Sequence, residues 1–116
     1  MDHYIIYHNP RCSKSRQTLS IMNENNLNIK IVQYLTAPPS PEELELISRK
    51  LSISPMDFIR KKELIYTELG LNNYNASDSK LFKLMSENPK LIERPIVIKG
   101  DKAIIGRPPE NVIELF

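Results

Sequence analysis

The sequence predicts an α/β fold: a four-stranded mixed sheet flanked by helices, with a helical insertion between strands two and three. Three observations predict it. They are a β-α-β pattern in the first 35 residues, a middle stretch rich in helix-start signals, and two short apolar runs near the end joined by Gly100-Asp101. The 116 residues are expected to form one domain, 1–116, with the insertion at about 41–90. A chain of this length buries roughly two-thirds of its unfolded surface without disulfides or metals.

Taken in order, Tyr4-Ile5-Ile6-Tyr7 is short, continuous and β-branched or aromatic, which suits a strand covered on both faces. After the loop His8-Asn9-Pro10-Arg11-Cys12, residues 13–24 contain neither Gly nor Pro and space Thr18, Leu19 and Met22 for one helical face. Residues 29–35 read as strand two, parallel to the first because the connection between them is a single crossover helix. Ser40-Pro41-Glu42-Glu43 is a capping box with proline at the first helical position, followed by Leu44, Ile47 and Leu51 on one face. Ser54-Pro55-Met56-Asp57 repeats the device with aspartate. Helical segments are expected at 63–69, stopped by Gly70, and at 78–87, stopped before Asn88-Pro89. Ile96-Val97-Ile98 and Ala103-Ile104-Ile105 read as a hairpin whose Gly-Asp centre suggests a type II′ turn. The spacing of Val112, Ile113 and Phe116 predicts a short final helix.

Composition excludes several classes of function. Seven basic residues face six acidic ones in residues 1–60, and nine face eight in 61–116, so there is no basic arm and nucleic acid is not expected as a partner. No apolar run approaches the roughly 18 residues of a membrane span. The N-terminus lacks a basic head, a long apolar stretch and a small-residue cleavage site, so a soluble, cytoplasmic protein is expected. Two histidines and one cysteine cannot close a four-ligand zinc site or an internal disulfide, so redox work here must borrow a second thiol. There is no glycine-rich phosphate loop and no paired-carboxylate spacing, which removes the nucleotide-binding and glycosidase readings.

Cys12 falls where strand one ends and helix one begins, the crevice at which open α/β sheets bind ligands. Free N–H groups and the positive end of the helix dipole favour an anion there. Arg11, Lys14 and Arg16 surround it, with no acidic side chain between Asp2 and Glu24, so the local field is expected to push the thiol toward thiolate. The alternative is a buried cysteine acting as a small hydrophobe, against which the flanking Arg11 and Lys14 argue. Ser15 stands where a Cys-x-x-Cys motif would carry its second cysteine; its hydroxyl either bonds the thiolate or is an ordinary first-turn group. His8 either tunes the thiol, as imidazolium or as base, or faces solvent at the strand end. His3 reads as surface. If Gly100 and Asp101 centre the hairpin, cross-strand partners have numbers summing to 201, which sets Arg94 opposite Arg107. Like charges so placed repel, and the two guanidinium forks make best sense with an oxyanion between them; otherwise they are two exposed arginines in a different register. Arg60, in a basic cluster with Lys61 and Lys62, stays unassigned on these grounds.

Ile6-Tyr7-His8-Asn9-Pro10-Arg11-Cys12-Ser13-Lys14-Ser15-Arg16, Glu93-Arg94-Pro95-Ile96-Val97 and Ile105-Gly106-Arg107-Pro108-Pro109-Glu110 together resemble the glutaredoxin-coupled arsenate reductases of ArsC type, a branch of the thioredoxin-fold superfamily. The resemblance spans essentially the whole chain, although longer members continue past the position of Phe116. It implies a thioredoxin-like fold, Cys12 as nucleophile tuned by His8 and Ser15, and Arg60, Arg94 and Arg107 binding the oxyanion. It also implies a cis peptide before Pro95, no bound cofactor or metal, arsenate as substrate, glutathione as external reductant and glutaredoxin as partner. Two further readings differ in task. One is a monothiol, glutaredoxin-like oxidoreductase acting on glutathione mixed disulfides or another oxyanion. The other is a non-enzymatic regulator resembling the Spx proteins, which bind RNA polymerase and use the Cys-x-x-Cys switch that Ser15 removes here.

Overall fold

The computed structural model describes residues 3–72 and 76–116. Met1 and Asp2, part of the stretch read for export signals, lie outside them, as do Asn73, Tyr74 and Asn75 of the expected insertion. The chain forms two compact units, Met1–Ala37 with Arg94–Phe116, and Pro38–Glu93.

The first unit holds the sheet. Strand β1 (His3–Tyr7) leads through a tight loop into helix α1 (Ser13–Glu24) and back to β2 (Asn28–Val32). Strands β3 (Ile96–Lys99) and β4 (Lys102–Ile105) complete the order β2-β1-β3-β4. β1 runs parallel to β2 and antiparallel to β3, with Ile6 between Ile31 and Val97. Being central, β1 has no polar face to offer, and Tyr4, Ile6 and Tyr7 are buried. Tyr4, Ile6, Met22, Val97, Val112 and Leu115 form one apolar cluster. Each such side chain contributes about 1.5–3 kcal/mol on burial, and the cluster fixes α1 and the C-terminal segment against the sheet.

β3 and β4 pair Ile96 with Ile105 and Lys99 with Lys102, the register expected from a Gly100-Asp101 centre. Gly100 has φ +60°, and that left-handed first turn position, with Asp101 absent from the positive-φ residues, agrees with a type II′ turn. Strand two is shorter than the expected 29–35. The N–H groups of Thr36 and Ala37 both donate to Gln33 O, a turn that ends the strand at Val32 and leaves Leu35 exposed. The final helix is a 3-10 segment, Pro109–Leu115. Among the described residues, no helix is long and apolar enough to cross a membrane.

The second unit is helical. Helix α2 (Pro41–Leu51) opens on the expected capping box: Ser40 Oγ accepts from Glu43 N at 3.1 Å, and Ser40 N donates to Glu43 Oε1 at 3.2 Å. Ser54 behaves differently. Its hydroxyl bonds Asp57 Oδ2 instead of a backbone N–H, and only one 3-10 turn, Pro55–Asp57, follows. Helix α3 (Leu64–Glu68) ends at Gly70, φ +71°, and α4 (Asp78–Glu87) is capped by Ser77 Oγ on Lys80 N. α4 packs on α2. Residues 58–60 and 91–93 run antiparallel through Arg60 N→Leu91 O (2.7 Å) and Glu93 N→Phe58 O (2.9 Å).

Candidate active site

The loop between β1 and α1 is built on Asn9. Its side-chain Oδ1 accepts from Arg11 N and its backbone O from Cys12 N, both at 3.0 Å, with Pro10 at the turn position its fixed φ suits. This turn brings Cys12 to the N-cap of α1 in extended conformation, where its side chain closes no capping hydrogen bond, and no acidic residue occupies the first turn. The first-turn N–H groups are therefore left to an anion, the Cys12 thiolate itself or a bound oxyanion.

The sulfur is more enclosed than its charged neighbours suggest: Cys12 is 9% exposed, whereas Arg11, Lys14 and Arg16 lie at the surface. Burial works to raise the thiol pKa. The backbone N–H of Ser15, the hydrogen bond and charge of Arg94, and the backbone N–H of Lys14 act the other way, and the net result lies below the ordinary value. The charge that lowers the thiol pKa thus comes from Arg94, distant in sequence, and not from the neighbouring Arg11 or Arg16; Arg16 Nη1 instead donates to Pro10 O at 3.0 Å.

Arg107 completes this cluster. Its Nη1 lies 3.8 Å from Cys12 Sγ and donates to Arg94 O at 3.1 Å. The cross-strand relation persists one step beyond β3 and β4, with Gly106 N donating to Pro95 O at 2.9 Å, and then stops as Arg107 N turns to Ile105 O. The peptides before Pro95 and Pro108 are both cis; the first was expected and the second was not. Arg94 and Arg107 are accordingly neighbours at a sheet corner, linked by a guanidinium-to-carbonyl bond and facing one sulfur.

Ser15 does not place its hydroxyl on the sulfur. Its Oγ accepts from Asn9 N at 3.1 Å and lies 2.6 Å from His8 Nδ1, so its link to Cys12 runs through its backbone N–H. His8 is buried, 7% exposed, rather than facing solvent. Burial first, then the charge of Arg16, lowers its pKa, which favours the neutral ring over the imidazolium. His3 is exposed. Arg60 belongs to the helical unit, where Nε meets Glu63 Oε1 at 3.2 Å and Nη1 meets Glu93 Oε1 at 3.3 Å. Asn9 had no assigned role from its residue type alone, yet it both shapes the loop and anchors Ser15. Asn-Pro directly before a helix start was the signal that could have found it. Among the described residues, no three His, Cys, Asp or Glu side chains cluster as metal ligands.

A cysteine at a helix N-terminus beside two arginines is compatible with more than one oxidoreductase family, and comparison with known proteins decides between them. The model of the ArsC family matches residues 7–115. The chain belongs to the ArsC family. This ArsC chain is 49% identical over 113 residues to a Haemophilus influenzae protein named arsenate reductase, with 97% of each chain covered. It is 46% identical over 111 residues to the Escherichia coli protein YfgD, covering 95% of this chain and 93% of that one. The solved structure titled arsenate reductase from Vibrio cholerae matches with TM-score 0.95 and 43% identity, over 99% of this chain and 98% of that one. The sheet and its helices are the thioredoxin-like fold of these ArsC proteins.

Proposed function

We propose that this chain is an oxidoreductase that reduces arsenate with electrons from glutathione and glutaredoxin, using Cys12 as nucleophile. The observation that carries the reading is a single thiol at the N-terminus of α1, 3.8 Å from Arg107 Nη1 and held below its ordinary pKa by first-turn N–H groups and Arg94. The relatives named arsenate reductase support arsenate as the substrate. Arg94 and Arg107 suit a tetraoxo anion because guanidinium forks bind such oxygens bidentately. The part assigned to Arg60 rests on the family resemblance, and loss of arsenate affinity in Arg60→Ala is its test.

In the reaction, Cys12 thiolate attacks arsenic, an S–As bond forms and a protonated oxygen leaves as water. Glutathione adds its sulfur to the same arsenic with loss of a second water. A glutaredoxin thiolate then attacks the glutathione sulfur. The As–S bond to glutathione breaks with its electron pair left on arsenic, which passes from the pentavalent to the trivalent state as a glutaredoxin–glutathione disulfide forms. Hydrolysis of the remaining Cys12–As bond releases arsenite. His8 and Ser15 act as positioning residues, because Ser15 shares its hydroxyl with His8 and Asn9 while its N–H faces the sulfur. No bound cofactor is needed, and a reducing compartment such as the cytoplasm supplies the thiols.

The test is titration of Cys12 alkylation against pH, with and without arsenate. The expected outcome is a thiol pKa well below about 8.5 together with protection by arsenate. A low pKa without protection, alongside turnover of a glutathionylated peptide, would transfer the site to mixed-disulfide chemistry. A pKa at or above the free value would remove the nucleophile altogether.

A further inference from the structure

Gly106 lies between Ile105, the last residue of β4, and Arg107. A Cβ there would stand 2.5 Å from Thr18 Oγ1, 2.8 Å from Pro95 Cγ and 3.2 Å from Thr18 Cγ2. Its φ is not among the positive ones, so glycine is required by space and not by backbone conformation. Thr18 is fully buried on α1, with Oγ1 donating to Lys14 O at 2.8 Å and reaching Gly106 O at 3.5 Å. On the other side Asn111 Nδ2 donates to Ile105 O and to Arg107 O, both at 3.2 Å. One amide thereby ties the carbonyls on either side of Gly106. The helix that presents Cys12 and the loop that presents Arg107 touch through this contact, the Thr18 side chain lying directly on the Gly106 backbone.

We propose that Thr18, Gly106 and Asn111 form a positioning clamp that sets the separation between the Arg107 guanidinium and the Cys12 sulfur, and hence the fit of the oxyanion between them. The identity of that oxyanion rests on the function proposed above; the clamp itself rests on the geometry. None of the three residues touches the reacting atoms. Their effect is transmitted through the backbone of Arg107, whose own N–H is already committed to Ile105 O. Displacing a guanidinium from about 4 Å weakens its hold on a thiolate, and small misplacements of a binding group carry large kinetic costs.

The experiment measures Cys12 alkylation by iodoacetamide against pH in the full chain, with arsenate as the protecting anion, after circular dichroism has established folding. Gly106→Ala is expected to raise the thiol pKa by about half a unit to one unit and to weaken arsenate protection about tenfold. Adding Thr18→Ala removes two of the three close contacts and should recover part of both changes, since coupled neighbours are not additive. Asn111→Ala should move both readouts in the same direction by a smaller amount. Folded Gly106→Ala with wild-type pKa and protection overturns the proposal, as does a Gly106→Ala shift that Thr18→Ala leaves untouched. Should Gly106→Ala fail to fold, Asn111→Ala decides alone, its side chain being only partly buried: a raised pKa supports the clamp and an unchanged one removes it. Wild-type protein that arsenate does not protect would refute the proposed substrate, while the thiol pKa of the variants would still test the clamp.

Discussion

The N-termini of α1 and α2 answer the same problem in opposite ways. Each helix begins with N–H groups that have no partner within the helix. In α2 they are satisfied from inside: Ser40 accepts from Glu43 N, Glu43 reaches back to Ser40 N, and two glutamates complement the dipole. In α1 the equivalent N-cap is Cys12, toward whose sulfur the Ser15 and Lys14 N–H groups are turned without a reciprocal capping box, and its first turn holds no carboxylate. The third helical residue carries the contrast further. Glu43 turns toward its own cap, whereas the Ser15 side chain turns away, to His8 and Asn9. A helix start can be closed for stability or left open for an anion. The difference lies in two side chains, the cap and the third residue.

Cys12→Ser is the strongest way to break this contrast, because it gives α1 the cap that α2 has. Turnover should fall by about a thousandfold or more, to background, since the hydroxyl is a poor replacement for the thiolate. Stability should move the other way. Serine is a favoured N-cap, and about 0.5–1 kcal/mol is expected from the new bond to a first-turn N–H. The gain is pH dependent. The Cys12 pKa is lowered on folding, so the wild-type thiolate contributes stability above the unfolded pKa and loses it as pH falls through the folded value. Urea midpoints should therefore show the largest advantage of the serine variant at acidic pH, shrinking as pH rises. Equal midpoints throughout would mean that the α1 terminus is already satisfied and that the contrast with α2 is empty.

Ser40→Ala tests the other member of the comparison. It opens α2 and should cost about 1 kcal/mol of stability, without changing the alkylation profile of Cys12. A variant that loses stability and also shifts the thiol pKa would mean that the cap of α2 is not a purely structural device.

Much of the fold was legible because its signals are local. The absence of Gly and Pro over 13–24, the Ser40-Pro41-Glu42-Glu43 box, the Asn88-Pro89 stop and the Gly100-Asp101 centre each act within a few residues, and α1, α2, α4 and the β3–β4 register follow them. The end of β2 was not legible, since a turn accepting at Gln33 O carries no strong sequence mark. At the site, the position of Cys12 at the helix start was local and readable. Its burial, the dominance of Arg94 over Arg11 and Arg16, and the engagement of Ser15 by His8 all depend on contacts between residues distant in sequence. Residue type left open whether His8 and Ser15 act on the sulfur, and only the fold shows the two side chains bonded to each other, with burial lowering the His8 pKa.

The smallest expected effect concerns that bridge, which has no counterpart at the start of α2. The folded-state pKa of His8 is lowered from 6.5, by burial and then by Arg16, so the unfolded chain binds a proton at a pH where the folded chain does not. The unfolded state then holds more protons in the window from 6.5 down to the folded value, and stability must fall as pH falls through that window. Below it both states are protonated and the dependence vanishes. For one proton the slope cannot exceed about 1.4 kcal/mol per pH unit. Urea midpoints of the wild type and of His8→Gln, measured between pH 5 and 7.5, should converge as pH is lowered, with the glutamine variant the flatter of the two. Parallel curves would mean that His8 takes up its proton as easily in the folded chain as in the unfolded one. The imidazolium would then return as the group that Ser15 presents to the Cys12 loop, and the opening of α1 would owe part of its anion affinity to a charge.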